Sequence, residues 1–319
     1  MERVIIDCDP GHDDALAILL AAQHLDVLGI TTVSGNQSLD KVTRNALKVV
    51  ELAGLTDIPV VHGLDRPLVE LPRHAVSHGE SGLDGFVLPE PTTPLHPDHA
   101  VDFIIDTVMA SSDVTLIATG PLTNVAVALG REPRLRNQLA QISLMGGSLT
   151  FGNSTPAAEF NVWSDPEAAH IVFSSSVPIK MVGLNLTHQA VVAPSILDRM
   201  RAIGNRTGHV ISQLLAFHCE QYLELYGLVG APLHDACAVA WLIDDSLIES
   251  QALHVAVELR GQYTRGMTVC DYRYTGAAQA DVESLERTFQ GQPANAQVGL
   301  RLDALRFFDL LIDTLARYP

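Results

Sequence analysis

The chain has 319 residues, 47% of them hydrophobic, and a formal net charge of −17 at pH 7. That length suits a large core, while the excess of acid excludes a nucleic-acid polymer as partner, because phosphate binding needs clustered Lys and Arg. Cys8, Cys219, Cys237 and Cys270 form no C-x-x-C pair, no apolar run approaches the roughly 20 residues of a membrane span, and no apolar leader precedes the first strand. A cytoplasmic protein away from the membrane is expected. With no Ser/Gly-rich or Pro-rich spacer and no internal repeat, residues 1–319 are expected to form one domain.

Arg3 to Ile6 reads as a short buried strand and Ala15 to Ala22, rich in Ala, Leu and Ile, as a helix. The stretch "DCDPGHDD", Asp7 to Asp14, is then a strand-to-helix turn tightened by Pro10 and Gly11. Capping by Asp13 or Asp14 explains one aspartate or two, since a carboxylate at a helix start stabilises it by about 0.3–1 kcal/mol. Four of them, Asp7, Asp9, Asp13 and Asp14, repel one another unless a cation sits among them. Oxygen donors without nearby His-rich or Cys-rich spacing favour calcium or magnesium over zinc.

Downstream, apolar runs at Val27 to Val33, Pro59 to Val61, Val114 to Ala118, Ile142 to Met145 and Pro178 to Val182 read as strands. Between them, helical patterns run over Leu39 to Ala53, Ala100 to Ala110, Leu122 to Leu129 and Asp165 to Phe173. The alternation predicts an α/β fold with a mostly parallel central sheet flanked by helices. Ligands of such sheets bind beyond the carboxyl ends of the strands. The polar stretches fall at those ends: "SGN" at Ser34 to Asn36, "TGPLTN" at Thr119 to Asn124, "GGSLTFGNSTPAAEFN" at Gly146 to Asn161 and "NLTHQ" at Asn185 to Gln189. A loop "HGESGLDG" begins at His78, and "PLHDACAVAWLI" opens a helix with His234 and Asp235.

Taken singly, Asn36, Asn153 and Asn161 are turn residues, His78 is a solvent histidine, and Asp235 is a helix cap. Tyr222 and Tyr226, four apart, are a helix-contact pair. Their accumulation on one sheet edge predicts instead a polar pocket for a ligand with several hydroxyls. No phosphate-binding glycine fingerprint follows any strand.

Together "DCDPGHDDALAI", "TGPLTN", "MGG", "AEFN" and "PLHDA" resemble the nucleoside hydrolases, the calcium-dependent N-ribohydrolases of inosine-uridine and pyrimidine preference, from residue 4 to about residue 310. The resemblance implies a Rossmann-like single α/β domain, assembled as a dimer or tetramer. It implies hydrolysis of uridine, cytidine or inosine to ribose and free base, as in nucleoside salvage. It casts Asp9, Asp14, Asp235 and the Thr119 carbonyl as Ca2+ ligands, with Asp7 as a supporting carboxylate. Asp13 matches the general base that deprotonates the attacking water, and His234 the acid beside the leaving base. Asn36, Asn153, Glu159 and Asn161 match residues that hold ribose hydroxyls, with Met145 lining the sugar pocket. His78 lies in a loop expected to close over the base, and Tyr222 and Tyr226 on a helix flanking it.

The chemistry fits these residue types. Breaking a ribose N-glycosidic bond builds positive charge on the sugar, so water must be activated on one face and the departing base must be protonated, by analogy with glycosidases. Two other readings are weaker. A magnesium-dependent phosphohydrolase would also place aspartates two apart after a first strand, but here Pro-Gly follows, and no lysine-bearing phosphate loop is present. A sugar-binding protein would be expected to show two similar lobes and a secretion signal.

Overall fold

Strand β1 (Arg3–Cys8) is buried from Val4 onward and carries apolar residues toward both of its faces, which only a central strand covered on both sides permits. The computed structural model describes residues 1–111, 113–270 and 292–319. β1 pairs in parallel with β2 (Asp26–Thr32) on one side, and β3 (Val60–His62) lies beyond β2. On its other side come β4 (Val114–Ala118), β5 (Leu139–Met145) and β6 (Ile179–Val182), all parallel. The far edge is made by β7 (Ile248–Leu253), which pairs antiparallel with β10 (Ala296–Leu302), itself parallel to β6. The eight-stranded order is therefore β3-β2-β1-β4-β5-β6-β10-β7, with β8 (Val255–Val257) and β9 (Thr268–Cys270) forming a separate antiparallel ribbon.

Helices cover both faces of the sheet. Val4, Ile6 and Cys8 join one core with α1 (His12–His24), α2 (Leu39–Leu52) and later helices, while Ile5 faces the other, with α3 (Ala100–Met109), α4 (Thr123–Arg131) and the short α5 (Leu135–Gln138). The second core is extended by α6 (Phe160–Ser164) and α7 (Pro166–Phe173). The first is closed by α8 (Leu184–Thr187), α9 (Pro194–Ala202), α10 (Arg206–Tyr226), α11 (Asp235–Ile243) and α12 (Ala304–Leu315). Because α1 packs against α10, α11 and α12 as well as the sheet, it is buried all round as far as Ala21. Its sequence, "ALAILLAA", is apolar all round for that reason.

The chain leaves β1 toward β2 and β3, then returns to place β4 on β1's other side, so a crevice opens at the carboxyl ends of β1 and β4. The acidic turn and Thr119 meet in it: the Thr119 amide donates to the Asp7 carbonyl at 2.8 Å.

The α/β architecture is the one expected, with differences at particular elements. β1 runs to Cys8, so Asp7 is a strand residue, and α1 starts at His12, which puts Asp13 and Asp14 in its first turn. "NLTHQ" is largely the single helical turn α8. Strands β7 and β10 have no clear apolar pattern because β7 is a half-exposed edge and β10 loses register with it between Gly299 and Arg301. Among the described residues, no helix is long and apolar enough to cross a membrane.

Candidate active site

Asp13, Asp14 and Asp235 are buried, and each offers a carboxylate oxygen within 4.8 Å of the others'. The first two stand in the first turn of α1 and the third opens α11, so two helix N-termini point at one spot. The Asp14 carboxylate accepts from the Gly11 amide at 2.9 Å and from the Thr119 hydroxyl at 2.8 Å. Asp9 is not one of the trio. Its Oδ2 accepts from the Asn36 amide at 2.6 Å, and a Cβ on Gly35 would run into that oxygen, so the β2 loop can wrap the carboxylate only with glycine there. Asp7 lies behind: its Oδ1 accepts from Thr31 Oγ1 at 2.6 Å and from Asn124 Nδ2 at 2.8 Å.

The cluster is electrostatically frustrated on its own. Burial, then the neighbouring carboxylates, pushes Asp14 up to about 7 and holds Asp9 and Asp235 well above the ordinary range. Asp14 and Asp235, with oxygens within 4.8 Å of each other, cannot both be ionised there without a proton or a cation to offset the repulsion. Burial alone raises Asp7 to about 6. Asp13 differs: burial pushes its carboxyl up, but its attraction to His78, His234 and His218 outweighs this and holds it below the ordinary range, while burial lowers the imidazoles themselves to about 3, 4 and 3 and leaves them neutral at neutral pH. Asp13 is an anion at neutral pH. Its Oδ1 is buried and without a hydrogen-bond partner. An all-oxygen set of crowded, buried carboxylates with an orphaned oxygen fits a hard divalent cation, and calcium's tolerance of six to eight oxygens suits it better than zinc's tetrahedral preference.

Above this floor is a cavity of about 260 Å³. It is slightly below the roughly 300–1,000 Å³ usual for small-molecule sites, which suits one small polar ligand. Asp13, Thr119 and Asp235 reach it from the floor; Asp9 and Asp14 do not line it. Asn36, Met145, Asn153, Glu159 and Asn161 line its walls. Asn161 Nδ2 donates to the Thr119 carbonyl at 2.7 Å and to the Met145 carbonyl at 3.1 Å, so Oδ1 is the atom left for a ligand. A carbonyl has two lone pairs, and this bond leaves one on Thr119 for an ion. Glu159 caps α6, accepting the amides of Asn161, Gly147 and Val162, and burial raises it to about 7. Asn153 is exposed at the rim, where its Oδ1 accepts from the Phe160 amide at 2.9 Å.

His78, Tyr222, Tyr226 and His234 also line the cavity, beside His74 and Trp163. His234 Nδ1 is 2.8 Å from Thr187 Oγ1, its Nε2 is 3.1 Å from the Tyr222 hydroxyl, and its backbone amide donates to Asp13 Oδ2 at 3.3 Å. The loop that carries His78 is tied down on both sides. Ala75 donates to the Asn36 carbonyl at 3.2 Å, and the Arg73 guanidinium lies 4.1 Å from the centre of the Trp163 ring while donating to the Trp163 carbonyl at 2.9 Å.

All the residues expected from sequence therefore converge on one cavity or its floor. Sequence reasoning missed Thr187, Trp163, His74, His12 and His218. Thr187 lies within the quoted "NLTHQ", whereas His218 sits on an amphipathic helix with nothing local to distinguish it from core.

The inosine-uridine preferring nucleoside hydrolase family matches residues 4–309. The chain is 45% identical over 320 aligned positions to the pyrimidine-specific ribonucleoside hydrolase RihA of Escherichia coli K12, covering 99% of this chain and 98% of that one. Among solved structures it superimposes on a plant nucleoside hydrolase with a TM-score of 0.90 at 30% identity, covering 99% of each chain. A purine-preferring ribonucleoside hydrolase from Gardnerella vaginalis aligns with a TM-score of 0.88 at 30% identity, over 99% of this chain and 98% of that one. With fold, acidic floor and full-length similarity in agreement, the chain belongs to the inosine-uridine preferring nucleoside hydrolase family.

Proposed function

We propose that this chain, as one domain over residues 1–319, hydrolyses the N-glycosidic bond of ribonucleosides, uridine and cytidine ahead of inosine, to ribose and free base for nucleoside salvage. The observation that carries the reading is the buried Asp13, Asp14 and Asp235 trio beneath a small cavity walled by Asn36, Glu159 and Asn161. The pyrimidine preference is supported by 45% identity to a pyrimidine-specific relative, against 30% to a purine-preferring one. Incubation with uridine, cytidine and inosine, read as free ribose, tests it. Ribose from none of them overturns it.

Asp14, Asp235, Asp9 and the Thr119 carbonyl are the atoms that would hold calcium, which when bound supplies Lewis-acid and templating chemistry. Asp13, ionised and with an unpaired oxygen, takes the proton of the attacking water as its hydroxyl adds to the sugar carbon. His234, lowered to about 4 by burial and so neutral at rest, has to take up a proton before it passes one to the departing base, directly or through the hydroxyl of Tyr222, which burial keeps protonated far above neutrality. Asn161 Oδ1, Glu159 and Asn36 orient the ribose, and Tyr226 and His78 border the base.

Two outcomes follow. Asp235→Ala should lose calcium affinity by more than about 10²-fold, because even groups that merely support a ligand are worth about 10–100-fold. Calcium titration of the apo-protein measures it, and unchanged affinity would remove Asp235 from the ligand set. His234→Ala should slow uridine hydrolysis by about 10²-fold, the lower end for a positioned acid. A p-nitrophenyl riboside, whose phenolate leaves without a proton, should slow much less. Equal slowing of both substrates would reduce His234 to a shape-forming residue.

A cytoplasmic dimer or tetramer is the companion reading. It is supported by four free cysteines and by exposed Leu223, Leu225, Leu228 and Val229 around the end of α10, an apolar edge suited to a second copy. Sedimentation of the calcium-loaded protein reads the oligomer, and a monomer would sink that part.

A further inference from the structure

Behind the cavity, His12, His78 and His218 come together from three distant parts of the chain, each with a ring nitrogen within 4.8 Å of the others'. All three are buried, and only His78 lines the cavity. Their rings stack, with centroids 5.0–5.2 Å apart and planes 18–22° apart. Packing accounts for the stacking. It does not account for the lone pairs.

A backbone carbonyl only accepts, so the contacts made by two of these rings fix their tautomers. His12 Nε2 donates to the Asp84 carbonyl at 2.7 Å, which leaves Nδ1 bare. His218 Nδ1 donates to the Ser77 carbonyl at 3.4 Å, which leaves Nε2 bare, and that nitrogen is buried with no partner. His12 Nδ1 stands 3.0 Å from His78 Nδ1, and the His12 backbone amide also points at His78 Nδ1, at 3.3 Å. If His78 Nδ1 accepts from the amide, two bare lone pairs face each other. If it carries the proton, a buried amide loses its acceptor. Neither arrangement satisfies every group, and unpaired buried polar groups are costly.

A cation between the rings would occupy the bare lone pairs, the partnerless His218 Nε2 among them, at the cost of the one weak bond from the His12 amide to His78 Nδ1. A histidine that binds a metal through one nitrogen ordinarily donates its other N–H to a carbonyl or carboxylate, as His12 and His218 both do here. Two imidazole nitrogens on one tetrahedral zinc stand about 3.3 Å apart, given a Zn–N bond of about 2.0–2.1 Å, close to the observed 3.0 Å. We propose that His12, His78 and His218 form a second metal site for a borderline ion of the zinc class, separate in ligand chemistry from the carboxylate floor. Nitrogen donors select such ions over calcium, so the two sites divide two kinds of cation between them. Since His78 also lines the cavity, occupation should slow nucleoside hydrolysis; this consequence alone rests on the proposed activity.

Binding is tested without substrate. Zinc is titrated calorimetrically into the full-length protein with calcium held saturating, so that the carboxylates are occupied. One equivalent should bind, and both His218→Gln and His12→Gln should weaken it by about 10²-fold or more while leaving calcium binding intact. Cobalt substituted for zinc should show the visible bands of tetrahedral nitrogen coordination, lost in the same variants. Calcium binding reports that each variant is folded, and if one is not, the other carries the test. Absence of zinc binding, zinc binding unchanged in the variants, or an octahedral cobalt spectrum would each overturn the site, whatever the protein does to nucleosides.

Discussion

2′-Deoxyuridine should be hydrolysed about 10⁴-fold less efficiently than uridine, measured as kcat/KM. The size follows from how a site built to pair with a hydroxyl treats a substrate that lacks it: the buried polar groups are left unpaired, which costs about 10⁴–10⁵ in discrimination. Asn161 is built in this manner. Its Nδ2 is locked by the Thr119 and Met145 carbonyls, and its backbone amide by Glu159 Oε1 at 2.8 Å, so Oδ1 cannot turn away to find another donor. On the proposed reading the 2′-hydroxyl of uridine would pair with Asn161 Oδ1, and the deoxy substrate would leave that oxygen unpaired. Because the lost interaction is needed as charge develops on the sugar, kcat should fall along with any rise in KM. Rates within about tenfold of each other would mean that the ribose lies elsewhere in the cavity.

What could be read from the sequence, and what could not, divides along the range of the interactions. The turn from Asp7 to Asp14 is local, and its charge density and tight residues identify it without a partner. The parallel strands from β1 to β6 show because strands buried on both faces are written as continuous Val, Ile and Leu. The β7 and β10 pair is hidden because β7, "IESQAL", is an edge strand with half its residues in water. Asp235 is separated from Asp13 by more than two hundred residues, and no local rule brings them together; only the resemblance did. Helix α1 begins three residues before its apolar run because the Asp14 carboxylate caps the Gly11 amide and so starts the helix at the acidic turn. The histidine cluster was illegible for another reason. Residue type says that His218 is a histidine, but which nitrogen carries its proton depends on the Ser77 carbonyl, which a fold 141 positions of chain apart brings within reach.

Asp13→Asn should retain calcium and bind uridine with a KM near normal, yet lose about 10³–10⁴-fold in kcat, toward the upper end for a positioned base. The substitution keeps the shape and removes only basicity. Asp13 touches the rest of the site lightly: one oxygen accepts from the His234 amide at 3.3 Å, which an asparagine carbonyl also does, and the other has no partner. With the amide oriented by that bond, its NH2 faces where the water stands, and a group with no available lone pair cannot take a proton. In the absence of calcium the variant should be somewhat less stable near neutral pH, since the depressed Asp13 carboxyl contributes stability as an anion that a neutral side chain cannot, while Asp9, Asp14 and Asp235, already pushed up, have little repulsion left to relieve. Thermal unfolding in EDTA checks this independently of turnover. The p-nitrophenyl riboside separates the base from the acid: it still needs water activated, so Asp13→Asn should slow it nearly as much as uridine, in contrast to His234→Ala. Turnover within about tenfold of normal, with calcium bound, would assign the proton to another group, and Asp14, the other member of the trio in that helical turn, would be the residue to change next.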